Sequence, residues 1–546
     1  MPQNAAHSEL RKISTALQQA EKTGNHQAQI RLLEKIIKLT PDAALAHAQL
    51  AQVFFQIDDD QSGAAAAVRA LELPPSLEVD MLLSQYLYKS ATLLRDLDLA
   101  EQWFNQSPNI YRFKLLYEIT LTLDIRERAE APLHTLLSQQ LSSKDQAQLI
   151  GVLGQVHFSK GEFHDAVACY QLAAQIEPDN ISNLFNLGMM YEQIGRYDES
   201  LKNYKLALAK DPEHPGTHNN LALLMLRLMQ FEEGWRHHEW RWAIPGQSQF
   251  YQQFNIPRWR GESLEGKSLI VWAEQGIGDH IMYGSLLDDL LKRGGTVHYE
   301  IYARLDDLFA RTYPDVNFIR GKEEGQEFAN GVHLFKHSWP TSDYQIPLAS
   351  LPGILRPHIE TFPVRESFLT ADLEETAEFS SRYANQFADK RLIGISWRGG
   401  KTILTERQSR RIRLETLKLL QTLPSIQLID LQYDSTPEER EEAASLGLNL
   451  YHDDSVDARI NLDRQASQIA ALDAVISIDN TTVHLAGALG IPTFALLPLN
   501  PNWRWGLEEG RSYWYSSVRL FRNREMSDWT EALARVCQAL KDENLV

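Results

Sequence analysis

Cysteine is scarce. The 546-residue chain holds Cys169 and Cys537 and no other, far apart in sequence, which excludes a disulfide framework and a cysteine-built zinc site and fits a reducing, cytoplasmic setting. Long apolar runs are missing too. The opening Met1-Pro2-Gln3-Asn4 turns polar and then charged without the apolar core of a signal peptide, and no stretch approaches the ~18 uninterrupted apolar residues of a membrane span. Positive charge is in deficit: 54 Lys and Arg against 72 Asp and Glu leave a net charge of −18, which disfavours broad binding to nucleic acid or an anionic membrane. No low-complexity block or Gly/Pro linker marks a boundary, so the domains must be read from repeats and periodicity. What is present is ordinary globular material, 43% hydrophobic and 23% charged, long enough for about three or four folding units.

The first half is repetitive. Residues 147–180 align with 181–214 at a 34-residue period, pairing Gly154 with Gly188, Gly161 with Gly195, Tyr170 with Tyr204, Ala173 with Ala207 and Pro178 with Pro212. That is the period of a tetratricopeptide (TPR) repeat, in which small residues let paired helices approach, tyrosines fill the space between units and proline stops the second helix. Pro41 and Pro75 repeat the interval, with two amphipathic helices placed around Asp58-Asp59-Asp60. The acidic run reads as a solvated turn. A worn last unit runs from Thr217 through Gly234 into Trp235–Trp242, where the neighbours His237 and His238 lack the four-residue spacing that converges on one ion. Stacked helix pairs form a groove suited to an extended peptide or a partner helix.

From Lys267 short apolar runs alternate with helices, the mark of an α/β sheet. Strands are expected at 268–273 and 297–301, then at 392–397, 426–431, 474–478 and 493–497, which implies two sheets. Ligands of such sheets sit beyond the carboxyl ends of the strands, so the trailing loops are the places to look for chemistry.

Three loops stand out. In Glu274-Gln275-Gly276-Ile277-Gly278-Asp279 the glycines let backbone approach a ligand, but Ile281 occupies the third-glycine position of a dinucleotide fingerprint. Asp279 either caps the following helix or projects into a cleft as a proton acceptor. After Trp397 come Arg398, Lys401, Arg407, Arg410, Arg411 and Arg413, six basic residues in sixteen of an acidic chain, a local anion site in which Arg398 and Lys401 lie nearest the strand end. The third loop, Asp479-Asn480-Thr481-Thr482-Val483-His484, leads into the small residues Ala486-Gly487-Ala488. It opens a helix whose free N–H groups face outward, a phosphate cradle with His484 in its first turn.

Taken together, Glu274–Asp279, Ile395-Ser396-Trp397-Arg398-Gly399, Ile478–Gly490 and Pro501-Asn502-Trp503-Arg504-Trp505 resemble bacterial TPR-fused glycosyltransferases related to the heptosyltransferases, over about residues 147–525. The organisation is similar to that of O-linked N-acetylglucosamine transferase and of flagellin glycosyltransferases. The resemblance implies an α-helical TPR solenoid (1–245) followed by a GT-B fold, two Rossmann-like halves facing a cleft. The acceptor half would be 246–385 and the nucleotide-sugar half 386–546. It implies Asp279 as general base, with Gln275, Gly276 and Gly278 in the cleft loop. Arg398, Lys401, Asp479, Asn480, Thr481, Thr482 and His484 would bind the donor phosphate, and Gln432 the nucleotide.

It further implies an inverting transfer from a nucleotide-sugar to a protein docked by the repeats, flagellin being one such acceptor, with no metal or other cofactor. Asn480 stands where heptosyltransferases commonly have threonine, and the aromatic tail Trp503-Arg504-Trp505 departs from their pattern, so donor identity does not carry over. A repeat scaffold whose α/β half binds a nucleotide or sugar without turnover is the alternative expectation.

Overall fold

In the computed structural model, residues 2–86, 97–244, 254–321, 328–329, 332–333, 339–399, 410–524 and 528–546 are described. They divide into two compact units, 1–190 and 191–546. None of the described helices is long and apolar enough to cross a membrane.

Among the described residues, the elements of the first unit are all helices. Its caps follow sequence: the Asn25 side chain accepts from the Ala28 N–H, and Asp59 accepts from Ser62, opening the helix Asp60–Glu72. Asp58 takes a positive φ of 59°, so the acidic run is the turn between paired helices that its composition implies. The described residues of 78–145, a stretch without repeat marks, form helices such as Leu97–Gln106 and Ile110–Thr122, and there Arg112 and Asp80 make a buried ion pair at 2.9 Å. The glycine–tyrosine logic holds at Gly154, where a Cβ would come 2.9 Å from the buried ring of Tyr170.

The second unit begins with helices Tyr197–Lys210, Pro215–Arg227 and Phe231–His238, then builds two sheets. In the first, β1 (Ser268–Trp272) lies between β2 (Thr296–Tyr302) and β6 (Tyr344–Pro347), with β3 (Asn317–Gly321) outside β2; every pairing is parallel. A two-residue ladder, β4 (Phe328–Ala329) with β5 (Val332–His333), stands apart.

The second sheet has the order β12-β13-β11-β10-β7-β8-β9. Its strands are β7 (Arg391–Ser396), β8 (Ile426–Asp430), β9 (Leu450–Tyr451), β10 (Ala474–Ile478), β11 (Thr493–Leu497), β12 (Gly510–Arg511) and β13 (Val518–Arg522), all parallel except β12. The near-continuous apolar strands predicted from sequence are buried on both faces, as parallel sheets require. Strand order reverses between β1 and β6 in one sheet and between β7 and β10 in the other. The crevices opened by those reversals lie beside the loops after β1, β7 and β10.

The last helices fall in the second compact unit and share a core with the first sheet. Leu226, Phe231 and Trp235 belong to the same apolar cluster as Trp259, Val271 and Ile301. The Trp235 indole N–H donates to the Arg356 carbonyl at 2.9 Å. Arg241, in the closing 3-10 turn Glu239–Ala243, forks onto Glu274 with bonds of 2.8 and 2.6 Å, both side chains buried. Charged partners at 241 and 274 therefore tie the end of the repeats to the loop that follows β1.

Candidate active site

The loop after β1 turns at Gly276, whose extended backbone (φ −71°, ψ 172°) caps the helix Ile277–Gly284 without a side-chain cap. Asp279 sits in the first turn of that helix, where its carboxylate takes the Gly276 N–H and meets the positive helix end. It also faces outward: Oδ1 accepts from Nη2 of Arg504 at 2.5 Å, and Arg504 comes from the 3-10 turn Trp503–Trp505 beyond β11 of the other sheet. Asp279 thus both caps and projects. Burial holds its carboxyl above the usual carboxylate range; Arg504 opposes that rise and the nearby charge of Asp479 adds to it.

Gly278 does not open space for a ligand. A Cβ there would lie 3.0 Å from Cδ2 of His484, so the glycine lets a helix of the second sheet press against a helix of the first. Gly276 is open by comparison, with only Asp279 Oδ2 near, at 3.8 Å. Gln275 is half-buried and its carbonyl accepts from the Tyr302 hydroxyl at 2.8 Å.

Across the crevice, β10 ends at Ile478, Asp479 and Asn480 follow, and the helix Thr481–Ala488 begins. Asn480 is spent on building this turn. Its Oδ1 accepts from the Thr482 N–H and the Ser477 hydroxyl, each at 3.0 Å, and its Nδ2 donates to Ser396 Oγ at 2.7 Å and the Arg398 carbonyl at 3.2 Å. Thr482 is buried, its hydroxyl 3.4 Å from the Leu431 carbonyl, whereas Thr481 at the helix start is half-buried. His484 is buried beneath, Nδ1 paired with the Tyr515 hydroxyl at 2.8 Å and the ring stacked on Trp505 at 5.2 Å. Burial first, then the charges of Arg504 and Arg410, push the imidazole down to about 3, so it is neutral at ordinary pH.

The basic cluster separates. Arg398 turns aside: its guanidinium forks onto Glu439 at 2.7 and 2.9 Å and also reaches the Asp434 carbonyl. Arg410 takes the position expected of Arg398. It donates to the main-chain carbonyl of Asp479 and lies 3.9 Å from that residue's Oδ2. Lys401 and Arg407 lie outside the described residues.

Burial would raise Asp479, but Arg410 and Arg504 hold it below the usual range. Nε of Arg410 and Nε of Arg504 are both buried without a hydrogen-bond partner, and both arginines act on Asp479.

Gln432 is also turned inward. Its Oε1 accepts from the Trp397 and Arg398 N–H groups at 2.9 and 2.8 Å, and its Nε2 donates to the Arg398 and Tyr433 carbonyls, so its amide shapes the loop after β7. Beside it a cavity of about 380 Å³ opens at the ends of β8 and β9, lined among others by Asp430, Asp434, Arg440, His452 and Asp457.

The residue that sequence reasoning passed over is Arg504. The signal was there: one cation set between two tryptophans in an aromatic turn needs a buried counter-charge. The group of His157, Glu162 and Asp165, whose ligand atoms lie within 4.8 Å of one another, belongs to the helical unit, where Lys160 Nζ already sits 3.1 Å from Glu162.

Comparison with known proteins places TPR repeats in the chain: a family model described as TPR repeat matches residues 154–195 and 188–228. Protein FlbA of Caulobacter vibrioides is 31% identical over 318 residues, covering 57% of this chain and 52% of FlbA, so the chain spans about half the length of that relative. Among solved structures, a glycosyl transferase family 9 protein from Veillonella parvula matches 52% of this chain and 91% of its own at 12% identity and a TM-score of 0.35. YrrB, described as a TPR protein with an unusual peptide-binding site, matches 34% of this chain and 96% of its own at 17% identity and a TM-score of 0.27.

Proposed function

We propose that this chain is a glycosyltransferase of GT-B type that moves a sugar from a nucleotide-sugar to a protein acceptor, by inversion and without a divalent metal, in the cytoplasm. The observation that carries the reading is the meeting of Asp279, from the loop after β1, with Arg504, Arg410 and the start of the Thr481–Ala488 helix, from the second sheet. Both sides of the crevice sit at strand-order reversals, where ligands of α/β sheets bind.

Each part has a task in the chemistry. The acceptor hydroxyl gives its proton to the Asp279 carboxylate while its oxygen attacks the anomeric carbon from the face opposite the phosphate. The bond from that carbon to the phosphate oxygen breaks, and the electron pair leaves on the phosphate. Arg410, Arg504 and the Thr481 N–H at the helix start supply the positive charge that stabilises it, which is the work a metal does elsewhere. His484, neutral and on the buried side of the Thr481–Ala488 helix, positions Trp505 and Tyr515. The cavity beside Gln432 takes the nucleoside, with Gln432, Asn480 and Arg398 fixing the loops that border it. The TPR helices dock the acceptor polypeptide, flagellin Ser/Thr among the candidates.

The test is a transfer and hydrolysis assay on the full chain with UDP-, GDP-, ADP- and CMP-sugars, preceded by thermal-shift screening for the donor that stabilises it. Turnover that persists in excess EDTA and is lost in Asp279→Ala supports the reading. Donor binding without turnover by the unaltered chain would make it a sugar-binding scaffold instead.

A further inference from the structure

Two arginines and two carboxylates share the crevice, and among the described residues their charges cancel. Arg410 leans on Asp479, Arg504 holds Asp279 at 2.5 Å, and Arg504 also acts on Asp479. This balance is awkward for a phosphate. A dianion entering a neutral quartet needs a cation that is already engaged, and the nearer a cation stays to Asp279, the weaker a base that carboxylate is. Arg504 is placed to serve both ends: its Nη2 is on Asp279, its Nε is buried without a partner, and the neighbouring Trp505 stacks on His484 in the first turn of the Thr481–Ala488 helix.

We infer that Arg504 changes partners: it holds Asp279 until a phosphate seated at the start of the Thr481–Ala488 helix draws it away, freeing Asp279 to take the acceptor's proton. The inference rests on the glycosyltransferase reading and adds a coupling to it. Base strength at Asp279 is tied to the presence of donor, and by linkage the loss of charge at Asp279 strengthens phosphate binding. The groups that face Asp279 are Arg504 and Tyr515 from the segments around β12, Asp479 from β10, Tyr283 on its own helix and Tyr302 on β2, with Arg410 and His484 behind Asp479. Of the charged members, only Arg504 touches the Asp279 carboxylate.

Calorimetric titration of the full chain with inorganic pyrophosphate tests this. Asp279→Asn, which keeps the shape and removes the charge, is expected to bind pyrophosphate about tenfold more tightly than the parent. The ratio of the two affinities is expected to fall as the buffer is made more acidic than about pH 8, because burial raises the Asp279 carboxyl and protonating it in the parent releases Arg504 in the same way. Comparing the two chains cancels the titration of pyrophosphate itself. Asp279→Ser should move affinity in the same direction, which covers a folding defect in either variant. Arg504→Met should weaken binding and abolish the gain in the double variant.

Equal affinities in the parent and both Asp279 variants at about pH 8 overturn the inference. The glycosyltransferase reading then still stands if Arg410→Gln weakens binding. Failure of every chain to bind pyrophosphate removes the phosphate site, and that reading with it.

Discussion

Gly278 and His484 touch: the absent side chain of the one leaves room for the ring edge of the other, 3.0 Å from where a Cβ would stand. The helix Ile277–Gly284, which carries Asp279, and the helix Thr481–Ala488 are thereby packed on each other.

Gly278→Ala should therefore misplace the two halves of the site. The expected result is a stability loss of about 1–2 kcal/mol, typical of overpacking, and a fall in kcat larger than the change in donor affinity. Gly276→Ala, two residues away, meets nothing closer than 3.8 Å and should be nearly silent in both measurements. Equal effects at the two positions would contradict the packing argument.

Asp279→Ala should lower kcat on the order of 10²–10⁴-fold, the span of a lost general base, with donor binding retained in calorimetry. Loss of donor binding instead would mean that the carboxylate organises the site and does not act on the acceptor.

His484 should give the protein a pH-dependent weakness. Its folded value, about 3, lies below the ordinary 6.5 of imidazole, so the unfolded chain binds a proton that the folded chain refuses. Its contribution is fully present above that ordinary value and is lost as pH falls towards about 3. Between about pH 7 and about pH 5 the parent should lose on the order of 2 kcal/mol that His484→Gln does not lose, read by denaturant unfolding at the two pH values. Parallel losses in both proteins would show that the ring is charged in the fold.

Trp235→Ala should cost about 3–5 kcal/mol, because it removes a buried indole and leaves the Arg356 carbonyl without its donor. The readout is a lower thermal midpoint together with lower activity, since Trp235 also packs edge-on against Trp503, next to Arg504.

The repeats and the strands were legible in the sequence because each follows a short local period: 34 residues for Tyr170 and Tyr204, near-continuous apolar runs for 268–272 and 474–478. The loops were legible as places, since chemistry in parallel sheets collects at strand ends. Partner choice was not. Arg398, nearest the strand end, is taken by Glu439 forty-one residues on, while Arg410 reaches Asp479, and neither pairing has a local signature. Gln432 and Asn480 carry polar groups that suit a ligand equally well, and only the fold shows that backbone N–H and C=O groups claim them first. Gly278 was read as room for a ligand when the occupant is His484. Arg504 was visible only as an oddity within its aromatic turn, because its counter-charge lies 225 residues earlier in the chain.

The fork of Arg241 onto Glu274 decides where this protein tolerates division. Cutting after residue 245, at the apparent end of the repeats, would carry the guanidinium off and strand a carboxylate in a dry interior, five residues before Asp279. A severed charge of that kind costs about 3–5 kcal/mol, enough to ruin the fragment. The final helices are a weld rather than a detachable handle: an engineer exchanging the helical array for another must keep everything from Tyr191 onward and graft upstream of it.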